Sequence, residues 1–120
     1  MRVFLTGSFN KDRRDAVSDA ELVDSAKEIA AGLVEASLGA YLFKKRIARK
    51  GKGKSSGYRA VVAFRVNDRI VYLHLFAKNE KANITKKEFE ALKALAKQYM
   101  ELTALQLDAA VAASALLEIK

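Results

Sequence analysis

The sequence predicts an α+β domain, with helices packed on one side of a small antiparallel sheet. Three observations carry that expectation. Two capping boxes open amphipathic helical patterns, strand-like alternation fills the middle of the chain, and an Asn-Asp turn separates two strand-length runs. At 120 residues the chain suits a single domain spanning 1–120, large enough for one core. It contains no proline, internal repeat or low-complexity linker, so nothing marks a domain boundary.

The elements follow in order. Val3 to Thr6 is short, β-branched and aromatic, which suits an opening strand, and Phe9 to Asp15 reads as a short helix. Ser18 to Leu33 is a helix: Ser18 and Glu21 form a capping box, and Leu22, Ala26, Ile29, Ala30 and Leu33 recur at helical spacing. Gly32 and Gly39 punctuate the turn out of it. Three strands are expected next: Ala40 to Arg49, Tyr58 to Val66 and Ile70 to Ala77, the last two joined by a tight turn at Asn67-Asp68. In the second strand Arg59, Val61, Ala63 and Arg65 alternate with Tyr58, Ala60, Val62 and Phe64, which predicts a basic face and an apolar face. Thr85 and Glu88 form the second capping box, and Phe89, Leu92, Leu95, Ala96 and Tyr99 make a buried stripe. Leu105 to Leu116 reads as a further helix, and Leu117 to Lys120 as extended.

Charge is distributed very unevenly. The chain has 22 Lys+Arg against 14 Asp+Glu, and eight of the basic residues lie between Lys44 and Arg59. Without those eight the remainder is neutral, and no acid occurs between Glu35 and Asp68. A compact positive field on a balanced scaffold suits a polyanion, most simply RNA or DNA. Solvated charge runs are the commoner origin of Lys-rich segments, but the interleaved glycines and flanking strands favour a shaped loop here.

Other chemistries fit poorly. Gly53-Lys54-Ser55 ends like a phosphate-binding P-loop, yet the motif needs glycine where Ala48 stands and a helix where a strand is expected. The only histidine, His74, lies alone in a strand on the same face as Tyr72, Phe76 and Lys78, and reads first as a packed or hydrogen-bonded sheet residue and second as a catalytic one; no carboxylate cluster has ligand spacing, so no metal and no cofactor is expected. With no cysteine there is no disulfide framework. No apolar run approaches the ~20 residues of a membrane span, and MRVFLTGSF lacks the apolar length of a signal peptide. A cytoplasmic protein without membrane partners is expected. The cationic residues themselves form the candidate site. Lys52 and Lys54 alternate with Gly51 and Gly53, Arg59 lies just inside the next strand, and the hairpin at Asn67-Asp68 should bring Lys78 close to Arg59.

The stretch LGAYLFKKRIARKGKGKSSGYRAVVAFR, followed by FAKNEKANITKKEFEALKALA, resembles the RelE/HigB superfamily of toxins from bacterial type II toxin–antitoxin modules. More narrowly it is similar to a RelE-type family marked by a G-x-G-K-S-x-G-Y-R loop and a later F-A-K-x-E-x-x-N-I. The resemblance is strongest over Leu38 to Ala96, with Ser56 standing where many relatives have a second glycine.

That resemblance implies a RelE-like fold and a small basic ribonuclease that cuts mRNA on the ribosome without a metal. The RNA's own 2′-hydroxyl attacks the adjacent phosphate, so the protein has to orient it, help move its proton and stabilise the phosphorane. By the same resemblance Arg59 and Lys78 stabilise the scissile phosphate, while Lys52 and Lys54 grip RNA and one of them takes part in proton transfer. Lys44, Arg46, Arg49 and Lys50 add phosphate contacts, and Asn79, Glu80 and Asn83 belong to the second motif, bracing the loop or taking part in catalysis. The family's aromatic acid near the C-terminal end has no counterpart in NEKANITKKE; Tyr99 and Tyr41 are the nearest candidates. The implied partners are mRNA, the ribosome and a cognate antitoxin of helix-turn-helix type. A non-catalytic RNA- or ribosome-binding module and a ParE-like gyrase inhibitor are the competing readings. The terminal apolar residues Leu102, Leu105, Val111 and Leu116 read first as core and second as an antitoxin interface.

Overall fold

In a computed structural model the backbone is described for residues 1–49, 53–77 and 84–120, and the side chains for these except at 48, 49, 53–56 and 77. β1 (Arg2–Thr6) runs into α1 (Gly7–Arg13), whose first turn is capped by the Thr6 hydroxyl accepting from the Phe9 amide at 3.1 Å. Ser18 and Glu21 form the expected capping box at the head of α2 (Asp19–Ala30). Then come β2 (Ala36–Gly39), β3 (Leu42–Arg49), β4 (Gly53–Arg65) and β5 (Arg69–Ala77). Thr85 and Glu88 box the start of α3 (Lys86–Met100), and Thr103 with Gln106 boxes α4 (Ala104–Ala112), which leads to β6 (Leu116–Ile119).

The sheet has six strands in the order β2-β3-β4-β5-β1-β6. Most of its pairings are antiparallel, as expected, but β1 lies parallel to β5 and β6 pairs antiparallel with β1. The N-terminal strand thus enters beside β5, leaving β6 as one edge. The other edge, β2, is a strand the sequence did not announce. Its hairpin to β3 turns through Ala40 and Tyr41 at φ of 52° and 68°. Two successive left-handed residues are the signature of a primed hairpin turn, which asparagine and glycine usually signal; Ala-Tyr does not. β4 also begins earlier than expected, since Gly53 already pairs with Arg49.

β4 explains why helices lie on both faces, correcting the one-sided packing expected from sequence. Ala60, Val61, Val62 and Ala63 are all fully buried. Ala60 and Val62 pack with Phe9, Leu22 and Ile29 of α1 and α2. Val61 and Ala63 pack on the opposite face with Leu92, Ala96 and Met100 of α3 and Leu107 of α4. The predicted basic face of this strand is therefore apolar in its middle, with arginines only towards its ends. A β-bulge in β5 adds a further change of face: Tyr72 is opposite Val62 while His74 is opposite Val61, so Tyr72 turns towards α2 and away from His74. Buried Tyr72 donates to the Leu22 carbonyl at 3.0 Å and bonds Ser25.

The terminal residues divide as core and surface. Leu116 is buried, Leu102 and Val111 pack against the α3–α4 cluster, and Leu105 is exposed. No helix among the described residues is long and apolar enough to cross a membrane.

Two arginines of the β4–β5 hairpin close the C-terminal end of α3. Buried Arg69 donates to the carbonyls of Tyr99 (2.9 Å) and Leu102, while its Nε pairs with Asp68 at 3.0 Å. Arg65 donates to the Met100 carbonyl at 3.0 Å. A helix end carries carbonyls without intrahelical partners and partial negative charge, so these contacts satisfy both needs. Replacing Arg69 with Ala strands those carbonyls and leaves Asp68 only its 3.4 Å pairing with Arg65. Arg69→Ala is expected to lower unfolding free energy by about 3 kcal/mol in urea titration; a loss below about 0.5 kcal/mol would contradict this role.

Candidate active site on the α3 face of the sheet

Register builds the site. Arg46 of β3 lies opposite Arg59 of β4, which lies opposite Phe76 of β5. One row further in, Lys44, Val61 and His74 are aligned in the same way. Directly opposed residues share a face, so Lys44, Arg46, Arg59 and His74 all belong to the face that Val61 shares with α3. Because α3 ends at Arg65 and Arg69, the cationic rows lie at the other end of that face. This is the end where β3 passes to β4 and where β5 finishes at Ala77.

The bulge in β5 sets which residue Arg59 faces. Counting from the turn without it would place Arg59 beside Leu75; with it, Arg59 is beside Phe76 and Tyr58 beside Ala77. Lys78, Asn79, Glu80 and Asn83 follow outside the described residues, as do Lys50 and Lys52. The backbone puts Arg49 and Lys54 on β3 and β4, and their side chains are outside the description. His74 is half-buried, its ring edge-on to Phe76 with centroids 4.6 Å apart.

Glu35 is the residue that sequence reasoning missed. Its amide donates to the Lys44 carbonyl at 2.8 Å, which anchors it just ahead of β2 beside β3. From there its Oε2 accepts from Arg46 Nε at 2.6 Å and from Arg59 Nε at 3.1 Å. Partial burial pushes the Glu35 carboxyl pKa up, but the hydrogen bonds and charges of the two arginines outweigh it and hold the pKa below its ordinary value. The only sequence signal was position: Glu35 is the acid that bounds the acid-free stretch on its N-terminal side. An open cavity of about 330 Å³ lies alongside, lined by Leu33, Val34, Glu35, Lys45 and Arg46.

Lys45 leaves the basic block. Strand alternation turns it to the α2 face, where it is buried, pairs with Glu28 at 2.8 Å and donates to the Leu33 carbonyl at 2.9 Å. It ties the end of α2 to β3 and cannot meet a polyanion. The two tyrosines considered as acids also lie away from Arg59. The Tyr41 carbonyl accepts from the Phe64 amide, and the Tyr99 carbonyl from Arg69, both at the β4–β5 hairpin end. Five residues of strand separate Phe64 from Arg59, roughly 17 Å. No group of three or more potential metal ligands occurs among the described residues.

The sequence model for the RelE toxin of the RelE/RelB toxin–antitoxin system matches residues 1–119. The chain belongs to the RelE toxin family. It is accordingly the toxin component of a toxin–antitoxin module, whose counterpart is an antitoxin. No curated protein matches the chain. The mixed sheet with four helices among the described residues agrees with a RelE-like fold.

The depressed Glu35 pKa gives this RelE-family toxin a defined acid response. A carboxylate whose folded pKa lies below its unfolded one contributes stability above the ordinary value of about 4.5, and that contribution is lost as pH falls through the folded pKa. Arg46→Ala should therefore raise the Glu35 midpoint in an NMR carboxyl titration. The stability difference between wild type and Arg46→Ala should be present at neutral pH and narrow below pH 4.5. An unmoved Glu35 midpoint would show that the 2.6 Å contact carries no weight in solution.

Proposed function

We propose that this toxin is a ribosome-dependent mRNA endonuclease that cleaves without a metal, by attack of the RNA 2′-hydroxyl on the neighbouring phosphate. The observation that carries the reading is the Arg46–Arg59 pair, two partly exposed guanidinium groups on facing strands of one sheet face. Membership of the RelE toxin family supports it further, since ribonuclease activity is what that resemblance implies.

The chemistry sets three demands. A base takes the proton of the 2′-hydroxyl as its oxygen bonds to phosphorus. Cations hold the extra negative charge on the phosphorane. An acid protonates the departing 5′-oxygen, leaving a cyclic phosphate and a free 5′-hydroxyl. Arg59 and Lys78 are assigned to the charge, and Lys52 and Lys54 to gripping the strand, one of them also to proton transfer. Lys44, Arg46, Arg49 and Lys50 are assigned to flanking phosphates, and Asn79, Glu80 and Asn83 to shaping the segment after β5. His74, an imidazole on the face of Arg59, is the described side chain best suited by its chemistry to carry the second proton. The substrate reading also places the protein in the cytoplasm with ribosomes, and its antitoxin is proposed to be a helix-turn-helix protein.

The test uses purified toxin, programmed ribosomes and mapping of mRNA 5′ ends. Wild type is expected to generate discrete new 5′-hydroxyl ends. Arg59→Ala should cut about 10²-fold more slowly, the usual cost of removing one transition-state charge donor, while still co-sedimenting with ribosomes. His74→Ala should slow cutting with little change in RNA affinity. Intact mRNA after prolonged incubation with wild type would leave a non-catalytic RNA- or ribosome-binding module as the surviving reading.

A further inference from the structure

We propose that Glu35 is a positioning residue, holding Arg46 and Arg59 side by side for a phosphodiester while weakening the toxin's grip on RNA. The inference rests on the nuclease reading above and assigns it a residue whose charge has the wrong sign for binding. Like charges directly opposite each other on neighbouring strands repel, and long arginine side chains left alone there would splay apart. One carboxylate oxygen meeting both Nε atoms, at 2.6 and 3.1 Å, removes that repulsion and fixes both side chains at their necks. The Nη forks, the ends that pair bidentately with phosphate, lie outside this ion pair.

The anchoring supports a positioning role. Glu35 is fixed through its own backbone bond to Lys44 of β3, the strand that carries Arg46, so carboxylate and guanidinium share one rigid ladder. Arg59 belongs to the next strand of the same ladder. Arg46 and Arg59 both keep part of their side chains exposed, which leaves the cluster accessible to a chain-like ligand.

Removing the carboxylate should have opposite effects on two quantities. Binding strengthens because one negative charge no longer faces the RNA phosphates; at about 5 Å in water that is worth about fourfold. Cleavage slows because the two guanidinium groups lose their shared alignment, and small misplacements at a reacting centre are costly. A residue that only supports the fold would weaken both, and one that only repels RNA would speed both when removed.

Glu35→Ala and the isosteric Glu35→Gln are compared with wild type in two assays. Affinity is measured for a fully 2′-O-methylated single-stranded RNA, which cannot be cut, across a salt series. Cleavage is measured on programmed ribosomes at saturating toxin. We expect both variants to bind about fourfold more tightly at low salt. We also expect about tenfold slower cutting by Glu35→Ala, with Glu35→Gln between it and wild type because its amide oxygen still accepts from Nε. Unchanged or weaker binding, or undiminished cutting, overturns the proposal and leaves the nuclease reading standing. A wild type that binds the oligonucleotide but never cuts mRNA overturns the nuclease reading and the catalytic half of this proposal with it.

Discussion

The fold depends on a central strand whose middle has no exposed face. Ala60 to Ala63 of β4 are buried completely on both sides, so helices are required above and below the sheet. Each face there presents one alanine and one valine, which lets α2 approach one face and α3 the other. With both faces covered along the middle of β4, its arginines lie on either side of that middle. Arg65 and Arg69 take the hairpin end and are used to close α3. Arg46 and Arg59 take the opposite end, where the candidate site lies.

Basic residues consequently divide into two populations that composition cannot separate. Arg2 reaches Glu118 at 2.9 Å and Asp108 at 2.7 Å, joining β1 to β6 and α4. Lys45 and Arg69 are buried and paired with acids and carbonyls. These are structural cations, whose desolvation is offset by specific hydrogen bonds. Arg46 and Arg59 differ in being partly exposed and in sharing a single carboxylate. Two cations held by one anion retain a positive field, which is what a polyanion-binding surface needs.

Much of the fold was legible because its signals are local. The Ser18–Glu21 and Thr85–Glu88 boxes set the heads of α2 and α3, and the Asn67-Asp68 turn set the β4–β5 hairpin. Features governed by distant contacts were not legible. The Ala40–Tyr41 turn lacks the residues that favour left-handed backbone, so β2 is held by its pairing with β3. The bulge in β5 shifts the alternation midway, separating Tyr72 from His74 although they are two residues apart. Neither leaves a local pattern to read.

The amino-acid sequence by itself determined the α+β class, the heads of the principal helices, the basic block from Lys44 to Arg59 and, through its motifs, the likeness to RelE toxins. Each follows from neighbouring residues along the chain, where spacing and charge act directly. Tertiary structure decided which cations of that block are buried, because strand parity and helix cover send Lys45 inward while Arg46 stays outside. It also brought Glu35, just ahead of β2, to Arg59 of β4, residues joined only through the register of β2, β3 and β4. Register is a property of the assembled sheet, since it is set by the sum of pairings and buried side chains across strands.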